Sequence, residues 1–359
     1  MSERLCVHFG RCGGCVSQGR PLAQTHEEKR AALQAALWQQ RIEIDLPPLI
    51  DAHGAGRRRA TFNARRPAKP GDPFVLGFSE RASHTIVGLD ECLVLEPDLW
   101  AKAADIRKLA AAFLHKGPSA RLLATLTDAG VDIDVAGYTG GAKSLSGDLR
   151  AQLARLTGDL DFARLSVGGE PIATMRAPRV KMGSAVVAPP PGAFLQPTTA
   201  GEQALADLVL KGVGESKKVA DLFSGCGPFA LRLAQKASVH AVEHGGAMLD
   251  ALSAAARHTS GLKPITIAKR DLHLNPLGPK ELEPFNAVVL DPPRAGAREQ
   301  ARNLAQSKVK TVVMVACDTE TFARDVATLI GGGYKLELVR GLDQFRWSPH
   351  IEAVAVLRR

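Results

Sequence analysis

A cysteine that ends an apolar run, Cys317 in TVVMVACDTETFARD, is a candidate nucleophile. The run predicts a strand, and the residues that follow predict a helix beginning just after the cysteine. A helix N-terminus stabilises a thiolate, which is the reactive form of the side chain. Taken alone, however, a cysteine after an apolar strand is more often a small buried hydrophobic residue. The chemistry around this position must decide between the two interpretations.

Glu352, in SPHIEAVAVLRR, is a candidate general base. Apolar residues occupy both alternating faces of this segment, so it predicts a buried strand. Desolvation at the mouth of such a strand raises the pKa of a carboxyl group, which suits proton abstraction near neutral pH. The structural alternative is a buried carboxylate that pairs with one of the nearby arginines.

A glycine-containing turn follows the run VADLF and offers a place for a cofactor. Asp221 lies at the end of the predicted strand, Gly225 and Gly227 form the turn, and a helix opens from Phe229. Glycine lets the backbone approach a ligand closely. The spacing of Gly225, Gly227 and Ala230 suits a nicotinamide dinucleotide and S-adenosylmethionine equally, so the turn does not discriminate between them.

Three further acids end the strands predicted after this turn. Glu243 in HAVEH could accept hydrogen bonds from ribose hydroxyls, Asp271 in AKRD could meet the adenine end of a ligand, and the prolines of DPPRAG hold Asp291. A single such acid is as often merely solvated or a helix N-cap. Asp221, Glu243 and Asp271 in register with a glycine turn predict a ligand crevice. Arg294 stands where methyltransferases acting on amino groups usually carry an aromatic residue, which disfavours that chemistry.

These residues need a sheet whose strand ends converge. Short β-branched runs alternate with helical segments in the C-terminal half, which predicts an α/β fold with a doubly wound, mostly parallel sheet. The closing runs YKLELVRGLDQF and HIEAVAVLRR predict an antiparallel pair at the end of that sheet. The stiff tract APPPG predicts a boundary between an α+β region at 1–192 and a catalytic domain at 193–359, on which a helix at about 25–41 could pack.

Four of the six cysteines lie apart from this crevice in the sequence. Cys6, Cys12 and Cys15 form C-x5-C-G-G-C, and Cys92 lies in DECLVL. The N-terminus lacks a signal-peptide pattern, so we expect a cytoplasmic protein whose thiols stay reduced. Four thiolates could hold zinc or a [4Fe–4S] cluster, which their spacing does not discriminate, and free cysteines are the third interpretation.

The composition favours a polyanionic partner. The 359 residues include 46 Lys and Arg against 37 Asp and Glu, a net charge of +9, and nucleic acid fits better than an anionic membrane. No window has the roughly 18 apolar residues of a membrane-spanning helix. A basic stretch at 57–69, RRRATFNARRPAK, could bind phosphates and stack a base, although a charge run is usually only a solvated face. The predicted RNA contacts are Arg57, Arg58, Arg59, Phe62, Arg65 and Arg66.

The motifs, taken in order along nearly the whole chain, resemble those of the RNA uracil-5-methyltransferase family. They are CVHFGRCGGCVSQ, RRRATF, VLGF, DECLVL, FLQP, DLFSGCG, AVEH, KRD, DPPRAG, VACDTETFARD and HIE. The resemblance implies an S-adenosylmethionine-dependent RNA (uracil-5-)-methyltransferase (EC 2.1.1.-) with the class I, Rossmann-like fold, Cys317 as nucleophile and Glu352 as base. It also implies a [4Fe–4S] cluster on the four cysteines. The residues that it places at or near S-adenosylmethionine are Gln196, Phe223, Glu243, Asp271 and Asp291.

The chain departs from the family pattern in three ways. Pro228 replaces a frequent Asn, which removes one expected contact to the cofactor, and VACDT replaces VSCNP, which places Asp318 and Thr319 after the nucleophile. Because the cysteine motif begins at Cys6, we also expect no N-terminal β-barrel RNA-binding domain. We expect a monomer that acts on ribosomal RNA, with 23S favoured and transfer RNA as the alternative. A non-catalytic iron–sulfur RNA-binding protein is the alternative of another class.

Overall fold

The structure is a computed structural model, and it describes residues 4–66, 74–114, 119–138 and 141–359. Lys69 of the basic stretch lies outside these ranges. Two large sheets and one hairpin account for the strands of the described residues. After a segment of turns, the first elements of the described residues are a long helix, α1 (Leu22–Gln39), and a very short strand, β1 (Ile50–Asp51).

A seven-stranded sheet occupies the middle of the chain. Its strands and helices are β2 (Arg59–Arg65), β3 (Val75–Ser79), β4 (Ile86–Gly88), α2 (Pro97–Ala101), α3 (Ala103–Phe113), β5 (Ser119–Thr127), β6 (Gly130–Ala136), α4 (Gly147–Asp159), β7 (Arg164–Val167) and β8 (Glu170–Thr174). The strand order is β4-β3-β2-β5-β6-β7-β8, with β6 and β7 as the parallel pair. A short 3₁₀ turn, Ala142–Ser144, precedes α4. The helices and the inward side chains of the sheet share one apolar core.

A hairpin and a helix connect the two sheets. They are β9 (Val180–Met182), β10 (Ala185–Val187) and α5 (Thr199–Val213). Thr198 caps α5, because its hydroxyl oxygen accepts a hydrogen bond from the Gly201 amide at 2.9 Å. The apolar side chains of the hairpin pack in the core of the C-terminal sheet.

The C-terminal half forms an eight-stranded sheet with helices on both faces. Its elements are β11 (Lys218–Leu222), α6 (Ala230–Leu233), β12 (Ser238–Glu243), α7 (Gly246–Arg257), β13 (Ile265–Lys269), α8 (Pro279–Leu282), β14 (Ala287–Leu290), α9 (Arg298–Ala305), β15 (Thr311–Ala316), α10 (Thr319–Gly331), β16 (Lys335–Asp343) and β17 (Glu352–Arg358). The order is β1-β16-β17-β15-β14-β11-β12-β13. Strands β11 to β15 are mutually parallel, and β17 runs antiparallel to β15 and β16. This confirms the predicted α/β fold with a doubly wound sheet and an antiparallel end.

The central strands are apolar on both sides because two helical layers cover them. Every residue of β14 and β15 is buried, with alternate side chains in different core clusters: Val288 and Met314 in one, Val289 and Val313 in the other. Continuous apolar runs of this kind are typical of parallel sheets. No helix of the described residues is long and apolar enough to cross a membrane.

The N-terminal segment packs on the far edge of the same sheet. Helix α1 contacts α10 and β16, and β1 pairs with β16 in parallel. The Lys29 ammonium, buried at 5% exposure, lies 2.6 Å from Asp343 Oδ1 and donates to the carbonyl of Phe345. The helix predicted at about 25–41 is thus present at 22–39. The division at residue 192 stays a prediction, with α1, β1 and the hairpin all packed on the C-terminal side.

Candidate active site

A crevice of about 560 Å³ opens at the carboxyl ends of the parallel strands. Strand β11 lies between β14 and β12, so the chain connections diverge there, which is where ligands bind in open α/β sheets. The crevice brings together the predicted nucleophile and base with six of the eight predicted cofactor residues. These eight lining residues are Gln196, Phe223, Gly225, Glu243, Asp271, Asp291, Cys317 and Glu352.

The turn after β11 is tight because several residues adopt left-handed backbone conformations. Phe223 has φ 63°, which is unusual for a residue with a side chain, and Gly225 and Gly227 have φ 53° and 91°. A Cβ on Gly227 would lie 2.3 Å from a methyl carbon of Leu252. Gly227 therefore serves helix packing, whereas Gly225 faces the crevice.

The carboxylates of Glu243 and Asp271 are held by backbone amides. Glu243 accepts hydrogen bonds from Gly225 at 3.1 Å and Gly245 at 2.8 Å. Asp271 Oδ1 accepts from His273 at 2.9 Å and from Leu274 at 3.2 Å, and these bonds lower the pKa of Asp271. Asp271 is thus charged and fixed at the mouth of the crevice, and Glu243 is fixed in orientation beside it.

Asp221 does not reach the crevice. Its side chain is fully buried within β11, at 0% exposure, and does not line the cavity. Burial, with the neighbouring Asp291 carboxyl, raises the pKa of Asp221 to about 8. The prediction that Asp221 and Gly227 contact the cofactor is therefore not supported; both lie behind the lining residues.

Cys317 lies at the end of β15, half-buried in the crevice. Burial raises the pKa of its thiol to about 11, the carboxyls of Glu352 and Asp291 add to the rise, and Arg294 opposes it. The direction is opposite to the one expected from a helix N-terminus alone, because burial and the two carboxyls dominate. The N-cap of α10 is Asp318, whose carboxylate accepts from the Thr321 amide at 3.0 Å and occupies the helix end itself.

Glu352 is the first residue of β17 and is only 4% exposed. Burial, then the neighbouring Asp291, raises the pKa of Glu352 to about 8. A raised pKa is what the apolar residues on both faces of this strand predict from the sequence. One hydrogen bond favours the charged form, because Gln344 Nε2 donates to Glu352 Oε1 at 3.1 Å.

Comparison with known proteins relates both halves of the chain to RNA methyltransferases. The family described as tRNA (uracil-5-)-methyltransferase matches residues 184–359. A protein of Brucella suis described as an uncharacterized RNA methyltransferase is 45% identical over 354 residues, covering 99% of this chain and 84% of that protein. The 23S rRNA (uracil(1939)-C(5))-methyltransferase RlmD of Chromohalobacter salexigens is 31% identical, covering 99% and 76%.

The chain belongs to the RNA uracil-5-methyltransferase family. It is therefore an enzyme, and the alternative of a non-catalytic RNA-binding protein is wrong. Its fold resembles the crystal structure of the Pyrococcus abyssi tRNA (uracil-54, C5)-methyltransferase in complex with S-adenosyl-L-homocysteine. The TM-score is 0.73, with 21% identity and coverage of 99% of this chain and 87% of the other.

The basic stretch of this methyltransferase does not form one exposed surface. Arg58 is 5% exposed, pairs with Glu202 at 2.6 Å and donates to the carbonyl of Gln196 at 3.0 Å. Phe62, 1% exposed, stacks on Phe78 inside the core. The predicted phosphate contact of Arg58 and base stacking of Phe62 are thus wrong, because both side chains are already buried by the enzyme itself.

The other arginines of the stretch differ in their surroundings. Arg59 donates to the carbonyl of Leu195 at 2.9 Å, and its guanidinium lies 4.8 Å from the ring centre of the exposed Phe194. Arg65 and Arg66 are exposed. Of the predicted RNA contacts, these two are exposed and have no ion pair within the described part of the chain.

The four N-terminal cysteines of the enzyme lie around one cavity. Cys6, Cys12, Cys15 and Cys92 line a space of about 380 Å³, together with Arg57. The Nε and Nη2 of Arg57 are buried and have no hydrogen-bond partner within the described residues. In those residues, however, no group of three or more histidine, cysteine and acidic side chains is arranged as a metal site.

Sequence reasoning missed two residues of the active site. Gln344 contacts the predicted base, and Arg294, noted only for what it excludes, lines the crevice beside Cys317 and lies 3.4 Å from His350 Nε2. The sequence could have indicated Arg294, since it directly follows the two prolines of DPPRAG at the edge of the predicted crevice. Gln344 had no such signal, because its contacts join segments far apart in the chain.

Proposed function

We propose that the enzyme transfers the methyl group of S-adenosylmethionine to carbon 5 of a uridine in RNA through a covalent adduct at Cys317. The observation that carries this proposal is that Cys317 and Glu352 share one crevice with the glycine turn and its acids. The similarity to RlmD at 31% identity supports 23S ribosomal RNA as the substrate. Transfer RNA is the alternative, since the matched family is described by that substrate.

The residues of the crevice fit the cofactor that this reaction needs. When bound, S-adenosylmethionine supplies an electrophilic methyl group on a sulfonium ion. Glu243 would accept hydrogen bonds from the ribose hydroxyls, and Asp271 would lie toward the adenine end. Phe223 and His273, whose ring centres are 5.3 Å apart, provide an aromatic wall on that side. The cavity volume of about 560 Å³ is in the range of small-molecule sites.

The nucleophile is needed because carbon 5 of uracil is weakly nucleophilic. As the Cys317 sulfur bonds to carbon 6, its proton passes to solvent and the electrons of the C5–C6 double bond form an enolate. Carbon 5 then bonds to the methyl group, and the electrons of the broken sulfonium bond stay on sulfur as a thioether. The uracil must leave its stack to reach the crevice, so we expect a loop or flipped-out nucleotide as the target.

The base completes the reaction. After methyl transfer, carbon 5 carries both the methyl group and its original hydrogen. Glu352 removes that proton, the C5–C6 double bond re-forms, and the bond between sulfur and carbon 6 breaks. A carboxyl with a pKa near 8 is strong enough as a base for this step yet still partly ionised at neutral pH.

Two variants test these roles. Cys317→Ala should form no covalent adduct with RNA, whereas Glu352→Gln should add to the base, accept the methyl group and then stall. Denaturing gel electrophoresis with labelled S-adenosylmethionine and the cognate RNA measures both species. Normal turnover by the glutamate variant, or an adduct in the cysteine variant, would show that the roles are wrong, and Cys226 in the cofactor turn would be the next nucleophile to test.

The RNA class needs a separate measurement. We expect mass-spectrometric mapping of total RNA to find 5-methyluridine at a 23S position in cells with the protein and not in cells without it. Loss of the modification from transfer RNA alone would contradict the ribosomal assignment and support the alternative.

We further propose that Cys6, Cys12, Cys15 and Cys92 hold a [4Fe–4S] cluster with a structural or RNA-docking role. The thiolate donor set and the shared cavity support this, and the Arg57 guanidinium, whose Nε and Nη2 have no hydrogen-bond partner among the described residues, would balance the cluster's negative charge. Anaerobically purified protein should be brown and contain about four iron atoms per chain. Cys92→Ser should lose the iron, with Cys226→Ser as the matched control that keeps it. Stoichiometric zinc without visible absorbance would contradict the proposal.

A further inference from the structure

Gln344, directly after β16, lies between the predicted base and the predicted cofactor contact. Its side chain is completely buried, at 0% exposure. The amide nitrogen donates two hydrogen bonds, to Gln196 Oε1 at 2.8 Å and to Glu352 Oε1 at 3.1 Å. The amide nitrogen therefore faces Glu352, where it can donate to the ionised carboxylate, which can only accept.

The protein makes room for this amide and fixes it. The first turn of α5 carries Gly201, where a Cβ would lie 2.1 Å from Gln344 Oε1. That oxygen has no hydrogen-bond partner among the described residues, so the amide is held by its two donated bonds and by packing. A buried polar atom left unpaired costs free energy, which indicates that the donor side of Gln344 is what the site requires.

We propose that Gln344 is a positioning residue that favours the ionised form of the Glu352 carboxylate, aims it at carbon 5, and links it to Gln196 through the same amide nitrogen. The inference deepens the proposed function and rests on Glu352 acting as the base. It concerns only the proton-removal step, since among the described residues Gln344 does not line the crevice and its side chain has no hydrogen bond to Cys317 or to the glycine turn.

The charges around Glu352 explain why a donor matters. Asp291, from the segment after β14, disfavours the carboxylate, as burial does, and the Cys317 thiol adds no positive charge. The guanidinium of Arg294 favours the carboxylate but is exposed to solvent. Gln344 is the hydrogen-bond donor to this carboxylate within the described residues. Without it, the base would be protonated over a wider pH range.

The experiment separates methyl transfer from product release. Single-turnover reactions with labelled S-adenosylmethionine and the RNA substrate follow the methylated covalent adduct and the free methylated RNA between pH 6 and pH 9.5. Gln344→Met keeps the volume but removes the donor, and Gln344→Leu repeats the loss with another apolar side chain. Gln300→Met is the matched control, because Gln300 is also buried, at 1% exposure, and its amide bonds the backbone of Leu277 away from the site.

Both Gln344 variants should form the adduct within about twofold of the parent rate. They should release product about tenfold more slowly at pH 7, as expected for a lost hydrogen bond to a charged group. The gap between the product-release rates of the parent and the variants should narrow toward pH 9.5. The reason is that loss of the donor moves the pH below which release slows to a higher value. The Gln300 control should show the parent profile.

Two results would overturn the inference in different ways. If the Gln344 variants release product with the parent rate and pH profile, or lose adduct formation altogether, Gln344 is only a packing residue. If Glu352→Gln itself releases product normally, Glu352 is not the base, and the positioning role of Gln344 is then wrong as well.

Discussion

The side chain of Arg58 tests whether the basic stretch is an exposed RNA-binding surface or a buried contact between the seven-stranded sheet and α5. Its guanidinium lies at the start of the seven-stranded sheet and pairs with Glu202 on α5, at 2.6 Å. Glu202 also pairs with Arg232 at 2.9 Å, and all three side chains are 7% exposed or less. The substitution Arg58→Met keeps much of the apolar stem of this side chain but removes its charge.

The cost follows from what remains after the change. Breaking a buried ion pair costs about 3–5 kcal/mol when a charge is left alone. Glu202 would keep its bond to Arg232, so we place the loss at the lower end. The hydrogen bond to the Gln196 carbonyl is lost as well. We therefore expect the free energy of unfolding to fall by about 3 kcal/mol.

Urea unfolding with the matched variant Arg66→Met measures this cost. Arg66 is exposed, so its replacement should change the stability by no more than about 0.5 kcal/mol. The salt dependence of RNA binding should distinguish the two variants in the opposite way. It should decrease for Arg66→Met and stay at the parent value for Arg58→Met. A stable Arg58→Met protein that loses about one unit of salt slope would refute the buried assignment.

Three further predictions follow from the site and its surroundings. Replacing both Arg65 and Arg66 by Met should lower the slope of log affinity against log salt by about 1.4–1.8, measured by filter binding. The rate of adduct formation should rise with pH up to at least 9, because Cys317 acts deprotonated and its pKa is about 11; a rate that falls over this range in rapid-quench experiments would contradict it. Asp318→Ala should destabilise the protein by about 1 kcal/mol in urea unfolding, and Asp318→Asn by much less, since Asn also caps helices.

The alternation of the sequence was enough to predict the catalytic sheet. Runs such as AVVL in β14 are buried on both faces, and their regular exchange with helical segments leaves few other folds. Phe62 carried a signal too, because RATFNAR alternates and places Phe62 and Ala64 on the buried face. The concentration of arginines outweighed that alternation in the sequence-based interpretation.

Long-range partners explain what the sequence left undetermined. Arg58 and Glu202 are 144 residues apart, and Gln344 and Gln196 are 148 apart, so neither pair has a local pattern. The pKa of Cys317 likewise depends on Asp291 and Glu352, which other strands bring to the thiol. A local rule about helix ends could not include them.

The packing of α1 and β1 on the far edge of the sheet sets the order in which the chain can fold. Lys29 bonds Phe345 across 316 residues, and Ile50 pairs with Leu342 on β16. During synthesis, α1 must therefore remain without these packing partners until β16 and the residues after it have been made. The middle sheet, whose contacts are closer in sequence, can form in that interval. Helix α1 and strand β1 are thus made before the middle sheet but reach their packing partners after it.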